Sequence, residues 1–100
     1  MQMEEMDIVK MIAISGDSKA KAFEALKCLK QRDIARAKEL IKESRQLDLE
    51  AHNLQTNLIS KALMGEEDTK VTLLMVHAQD HYMTSQLARD LIEAMIALYE

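Results

Sequence analysis

The chain has 100 residues, a formal net charge of −4 at pH 7, two glycines, three aromatic residues and no proline. One hundred residues give room for one hydrophobic core, so we expect a single domain over residues 1–100. The acidic balance argues against a nucleic-acid-binding protein, the shortage of turn residues argues against a β-sheet fold, and no apolar run is long enough to span a membrane.

The residues that favour helix dominate the chain, which predicts an all-α fold. The first helix is predicted near residues 2–30, with Gly16 marking a kink or a close approach of two backbones. Cys28 is expected to be a small buried apolar side chain. Because it is the only cysteine, no intrachain disulfide can form, and the acidic N-terminus does not resemble a signal peptide. Both features indicate a cytoplasmic protein.

The second helix is predicted near residues 33–63. Asp33 is the expected N-cap, because a carboxylate directly before Ile34 can accept a hydrogen bond from the first turn. His52 is the lone histidine of this helix. We expect it to be structural, hydrogen-bonded to a neighbouring helix or to water.

The third helix is predicted near residues 69–98, with Asp68 or Thr69 as its cap. It carries two rows of mostly apolar residues at three- and four-residue spacing. The first row is Leu74, Ala78, Ser85, Ala88, Ile92, Met95 and Tyr99; the second is Leu73, Val76, Asp80, Thr84, Leu87, Leu91, Ala94 and Leu98. A bundle of three helices, each about 45 Å long, is thin for its length. The second row therefore predicts contact with other chains in an oligomer.

Asp80 interrupts the second row between Val76 and Leu87. A buried ionised carboxylate is costly unless it is paired or bound to a metal. If identical third helices meet around a symmetry axis, their Asp80 side chains converge and must share protons or bind a cation such as Mg²⁺. The alternative is that Asp80 simply faces water.

His77 and His81 are four residues apart, so they lie on one face of the third helix, beside the row of Asp80. Three interpretations remain open at this point. The pair could bind zinc, although the glutamate of H-E-x-x-H and a third ligand are missing. One neutral imidazole could attack phosphorus while the other donates a hydrogen bond to the incoming oxygens. The third interpretation is two half-exposed histidines without a role.

The segment VHAQDHYMTS at residues 76–85 resembles the signature of the lactose/cellobiose (chitobiose) family of IIA components of the bacterial phosphoenolpyruvate-dependent sugar phosphotransferase system. The resemblance extends over nearly the whole chain, and HAQDH followed by MTS is closer to the cellobiose/chitobiose branch than to the lactose branch. Tyr82 departs from the pattern, since leucine is usual at that position.

The resemblance implies an antiparallel three-helix bundle that assembles into a homotrimer. It also implies that His77 carries the phosphoryl group and that Asp80 binds a divalent metal, with Mg²⁺ favoured, shared by three subunits on the trimer axis. His81 and Gln79, the latter from a neighbouring subunit, are candidates to hydrogen-bond the phosphoryl oxygens.

The implied reaction is a phosphoryl relay in disaccharide uptake. The phosphocarrier protein HPr donates the group to His77, which passes it to a cysteine of the cognate IIB component. Two alternatives involve no phosphoryl transfer. One is a helical oligomerisation module, and the other is a metal-binding module that uses His77, His81 and Asp80 as ligands.

Overall fold

The computed structural model describes residues 3–65 and 72–100, and within them it contains three helices and no strand. The helices are α1 (Met3–Lys30), α2 (Ile34–Leu63) and α3 (Leu73–Ala97). They form an elongated body with extents of 51 × 22 × 18 Å. The predicted all-α fold is confirmed.

Local side-chain caps define where α2 and α3 begin. Asp33 accepts a hydrogen bond from the backbone N–H of Arg36 at 3.2 Å, as predicted. Thr72 caps α3, because its Oγ1 accepts from the N–H of Met75 at 3.1 Å. The predicted caps Asp68 and Thr69, like the predicted start at residue 69, lie outside the described residues. Within the described residues α3 begins at Leu73, and Thr72, directly before the apolar run, is the hydroxyl that reaches its first turn.

Ion pairs and hydrogen bonds between helices establish the antiparallel arrangement. Along α1 and α2 the paired residues run in opposite directions: Lys10 with Glu50, and Lys21 with Glu43. The same holds for α2 and α3: Arg45 with Glu93, His52 with Tyr82, and Gln55 with Gln79. The up-down-up path therefore sets α1 and α3 parallel and side by side.

The hydrophobic core consists of two clusters, one near each end of the bundle. The first comprises Ala22, Ala25, Leu29, Ala37, Leu40, Ile41, Ile92 and Ile96, and the second Ile8, Met11, Ile14, Ala51, Leu58, Ala78 and Tyr82. Cys28 is partly buried against the first cluster, close to its predicted role. The predicted close approach at Gly16 is wrong, because a Cβ there would meet no atom within 4 Å.

A layer of polar contacts lies between the two clusters. The Ser18 hydroxyl lies 2.8 Å from that of Ser44, joining α1 to α2. On the other side, Asp48 of α2 accepts from Arg89 Nη1 at 2.6 Å and from Ser85 Oγ at 3.0 Å, joining α2 to α3. Asp48 and Arg89 are both buried. A buried ion pair with these additional hydrogen bonds fixes the alignment of the two helices rather than adding much stability.

The outward face of α3 remains apolar and exposed. Its most exposed large side chains are Leu73, Val76, Met83, Leu87, Leu91, Met95 and Leu98. The opposite face packs into the bundle through residues such as Ala78, Ser85 and Ile92. The prediction of a helix that is apolar on two faces is confirmed for α3. An apolar strip of this length on a small protein marks an interaction surface.

Candidate functional site

His77 and His81 lie on the side of α3 that faces α1. Their ring centroids are 4.5 Å apart and the ring planes meet at 83°, an edge-to-face arrangement. His77 is exposed, whereas His81 is half-buried. One imidazole is therefore open to a partner, and the other supports it from one turn further along the helix.

The environment of His81 favours its neutral form. Burial, followed by the neighbouring His77 and Lys19, lowers the pKa of His81, while Asp80 acts weakly in the opposite direction. Its buried Nδ1 has no hydrogen-bond partner among the described residues. A neutral imidazole carries one N–H and one lone pair, so His81 can donate a single hydrogen bond to an anion beside His77.

Lys19 of α1 is a site residue that the sequence did not indicate. Its ammonium group donates a hydrogen bond to Thr84 Oγ1 at 2.9 Å. The Thr84 hydroxyl in turn donates to the carbonyl oxygen of Asp80 at 2.7 Å. Lys19 forms no ion pair with the described carboxylates, so it leaves positive charge next to His81.

The carboxylate of Asp80 lies on the exposed apolar face of α3, as the spacing predicted. Within residues 3–65 and 72–100 of one chain, no three histidine, cysteine, aspartate or glutamate side chains come together to hold a metal ion. His77, His81 and Asp80 therefore do not form a ligand cluster in a single subunit. This geometry argues against the alternative of a metal-binding module built from these three residues.

Gln79 lies on the opposite flank of α3, next to α2. Its Oε1 accepts a hydrogen bond from Gln55 Nε2 at 2.7 Å. Residues two apart on a helix point about 200° away from each other, so Gln79 cannot contact a group on His77 of its own chain. The structure brings together His77 and His81 but not Gln79, which lies against α2.

A separate polar groove lies between α2 and α3. Tyr82, which is buried, joins its hydroxyl to His52 Nδ1 and to Gln86 Nε2, each at 3.0 Å. Burial, with a smaller effect of Asp48, raises the pKa of Tyr82. The predicted hydrogen bond from His52 to a neighbouring helix is present. This groove is not part of the histidine pair's surface.

The site at His77 is open and shallow. Beside the exposed imidazole lies an apolar depression lined by Leu73, Leu74 and His77. An exposed nucleophile, a neutral hydrogen-bond donor and a nearby cation suit the transfer of an anionic group between two macromolecules. None of the helices in the described segments is long and apolar enough to cross a lipid bilayer.

Comparisons with known proteins agree with this geometry. A model of the family described as "PTS system, Lactose/Cellobiose specific IIA subunit" matches residues 6–100. The chain is 46% identical over 99 residues to the N,N'-diacetylchitobiose-specific EIIA component of the phosphotransferase system of Escherichia coli K12. This alignment covers 99% of this chain and 84% of that relative.

Solved structures show the same fold. The crystal structure of the cellobiose-specific enzyme IIA from Bacillus anthracis matches with a TM-score of 0.92 and 34% identity, covering 99% of this chain and 90% of that one. A solution structure of the chitobiose IIA–HPr complex of Escherichia coli matches with a TM-score of 0.83 and 43% identity, covering 99% and 95%.

Proposed function

The chain belongs to the lactose/cellobiose-specific IIA subunit family of the phosphoenolpyruvate-dependent sugar phosphotransferase system, and on that premise we propose that His77 is its phosphoryl carrier. His77 accepts the group from phospho-HPr and passes it to a cysteine of the cognate IIB component on the cytoplasmic side of the membrane. A IIA component is a phosphotransferase that relays the group without hydrolysing it.

The observation that carries this proposal is the exposed imidazole of His77 next to the half-buried, neutral imidazole of His81. A carrier histidine must be reachable by two different proteins, and an open surface meets that need. HPr is the proposed donor because the related chitobiose IIA forms a complex with HPr. A helical module without phosphoryl transfer would not explain why an exposed imidazole lies next to a half-buried one.

The transfer itself needs little besides correct positioning. A ring-nitrogen lone pair of His77 attacks phosphorus in line as the bond between phosphorus and the HPr histidine breaks, and a thiolate of IIB later displaces His77 in the same way. The N–H of His81 donates to a phosphoryl oxygen. The ammonium group of Lys19 lowers the free-energy cost of bringing an anionic phosphoryl group close to His81.

We propose that the exposed apolar face of α3 is buried in a homotrimer. Three copies of this face around an axis would remove Leu87, Leu91 and their neighbours from water. His77 lies on one flank of this face and Gln79 on the other. In a threefold arrangement each subunit presents one flank to each neighbour, so Gln79 of one chain meets His77 of the next.

The same arrangement would bring three Asp80 carboxylates to the axis. One chain supplies a single carboxylate there, too few for a metal, whereas three supply the oxygen donors that suit Mg²⁺. A bound divalent cation would offset the repulsion between the carboxylates and so hold the subunits together.

The transported sugar is proposed to be a β-linked disaccharide of the cellobiose or chitobiose type. The support is the 46% identity to a chitobiose-specific component and the structural match to a cellobiose-specific one. A lactose-specific role is the alternative, since lactose-specific relatives reach 37% identity.

The decisive experiment reconstitutes the relay. Incubation with phosphoenolpyruvate, enzyme I and HPr should place one acid-labile, alkali-stable phosphate on each chain. Omission of HPr should abolish this. A chain that takes up no phosphate in the complete mixture would overturn the proposed function and leave the oligomerisation module as the better account.

A further inference from the structure

Gln55 of α2 holds the carboxamide of Gln79 in one orientation. Its Nε2 donates to Gln79 Oε1 at 2.7 Å across the α2–α3 contact, and both side chains are half-buried. A primary amide has a donor end and an acceptor end. Because Gln55 occupies the acceptor end of Gln79, the donor end, Nε2, is the end left for another partner.

We propose that Gln55 is a positioning residue for phosphoryl transfer: it aims the N–H donors of Gln79 at the phosphoryl group carried by His77 of the neighbouring subunit. This inference rests on the proposed function and on the trimer in which the two flanks of α3 meet. A phosphoryl oxygen is anionic and accepts hydrogen bonds. A Gln79 turned the other way would present its carbonyl oxygen and repel the group.

The side-chain chemistry at position 55 provides a direct test. Gln55→Glu replaces the donor by a carboxylate that can only accept, so Gln79 must rotate its Nε2 towards α2 and its carbonyl towards the phosphoryl group. Gln55→Lys keeps a donor and preserves the orientation. We expect Gln55→Glu to slow transfer from phospho-HPr about tenfold, the size of one lost charge-assisted hydrogen bond, and Gln55→Lys to stay within about twofold of wild type.

A Gln79→Ala background separates orientation from the added charge. If Gln55 acts through Gln79, the Glu and Lys variants should transfer at equal rates once the Gln79 amide is gone. The NMR resonances of the Gln79 side-chain NH₂ group should also shift when the wild type is phosphorylated. They should not shift when Gln55→Glu is phosphorylated. Circular dichroism and light scattering establish that the variants keep their helix content and assembly.

The outcomes are distinct. Wild-type rates in Gln55→Glu, or the same loss in the Gln79→Ala background, would overturn the positioning role while leaving the relay intact. A wild-type chain that accepts no phosphate would instead overturn the proposed function on which the inference rests.

Discussion

His77 and His81 meet edge to face one turn apart on α3, with ring centroids separated by 4.5 Å. Burial, followed by the neighbouring His77 and Lys19, holds the pKa of His81 below its ordinary value, which favours the neutral ring. The two histidines thus differ in role although they share a face: the exposed ring can react, and the half-buried ring can donate a hydrogen bond.

Removal of the supporting imidazole should slow the relay without stopping it. His81→Ala is expected to lower the rate of transfer to IIB about tenfold, because one hydrogen bond to a charged group is lost. Rapid-quench measurement of phosphate on both proteins gives this rate. His52→Ala is the matched control, since His52 contacts Tyr82 in the separate groove. Unchanged transfer in both directions for His81→Ala would reduce His81 to a structural residue.

Asp80 is expected to control assembly rather than chemistry. Asp80→Leu removes the carboxylate from the apolar face of α3, so it should stay trimeric, lose any dependence on divalent metal and still accept phosphate. Replacing a buried charge cluster by packed apolar groups is often neutral or stabilising by about 1–4 kcal/mol. Asp80→Lys should fail to assemble, because three cations would converge without a counter-ion. Light scattering and thermal melts with and without chelator measure both effects.

A monomeric wild type would contradict the assembly. So would a wild type whose melting ignores a strong chelator while Asp80→Lys still forms trimers.

Removing one partner of the buried pair of Asp48 and Arg89 should destabilise the fold far more than breaking an exposed pair, although the intact pair adds little net stability. Asp48→Ala leaves the Arg89 guanidinium buried without its main partner, which should lower the free energy of unfolding by about 3–5 kcal/mol. The control is Glu93→Ala, which breaks an exposed pair with Arg45 and should cost less than about 1 kcal/mol. Urea unfolding at one protomer concentration compares them. Equal losses would show that Arg89 finds water or another partner.

Tyr82 should make stability decline at high pH. Burial raises the pKa of Tyr82, so between about pH 10 and that higher value the unfolded chain loses the phenolic proton while the folded chain keeps it. The folded state then binds more protons, and the free energy of unfolding falls as pH rises.

Tyr82→Phe should cost about 1 kcal/mol at neutral pH, through its lost hydrogen bonds, and should show a smaller decline above pH ~10. Tyr99→Phe, which alters an exposed ring, should behave like wild type. Parallel slopes for wild type and Tyr82→Phe would contradict this account.

Much of the fold could be predicted from the sequence. The helix-forming composition predicted an all-α fold with three helices, which the structure contains. The spacing of apolar residues placed Asp80 on the outward face of α3. The sequence indicated the burial of Asp48 only weakly. Asp48 lies four residues after Ser44 and three before Ala51, which is the spacing of one buried row of α2. The spacing of residues within one helix predicts its buried and exposed faces without information about the neighbouring helices, so this part of the prediction succeeds.

The contacts between helices could not be predicted in the same way. The approach of Lys19 to Thr84, the pairing of Asp48 with Arg89 and the hold of Gln55 on Gln79 all depend on the alignment of one helix against another. The alignment of one helix along another cannot be derived from a single sequence. The role of His77 came from the resemblance of VHAQDH to a known signature, since spacing alone left three chemistries open.

The most direct test locates the phosphate. After incubation with phosphoenolpyruvate, enzyme I and HPr, peptides should be analysed by mass spectrometry at alkaline pH, which preserves phosphohistidine. We expect the phosphate on His77 in the wild type and in His81→Ala, and none in His77→Gln. The His77→Gln variant should keep the helix content of the wild type because residue 77 is exposed in the single chain. Phosphate on His81, or uptake by His77→Gln at the wild-type level, would contradict the assignment of His77 as the carrier.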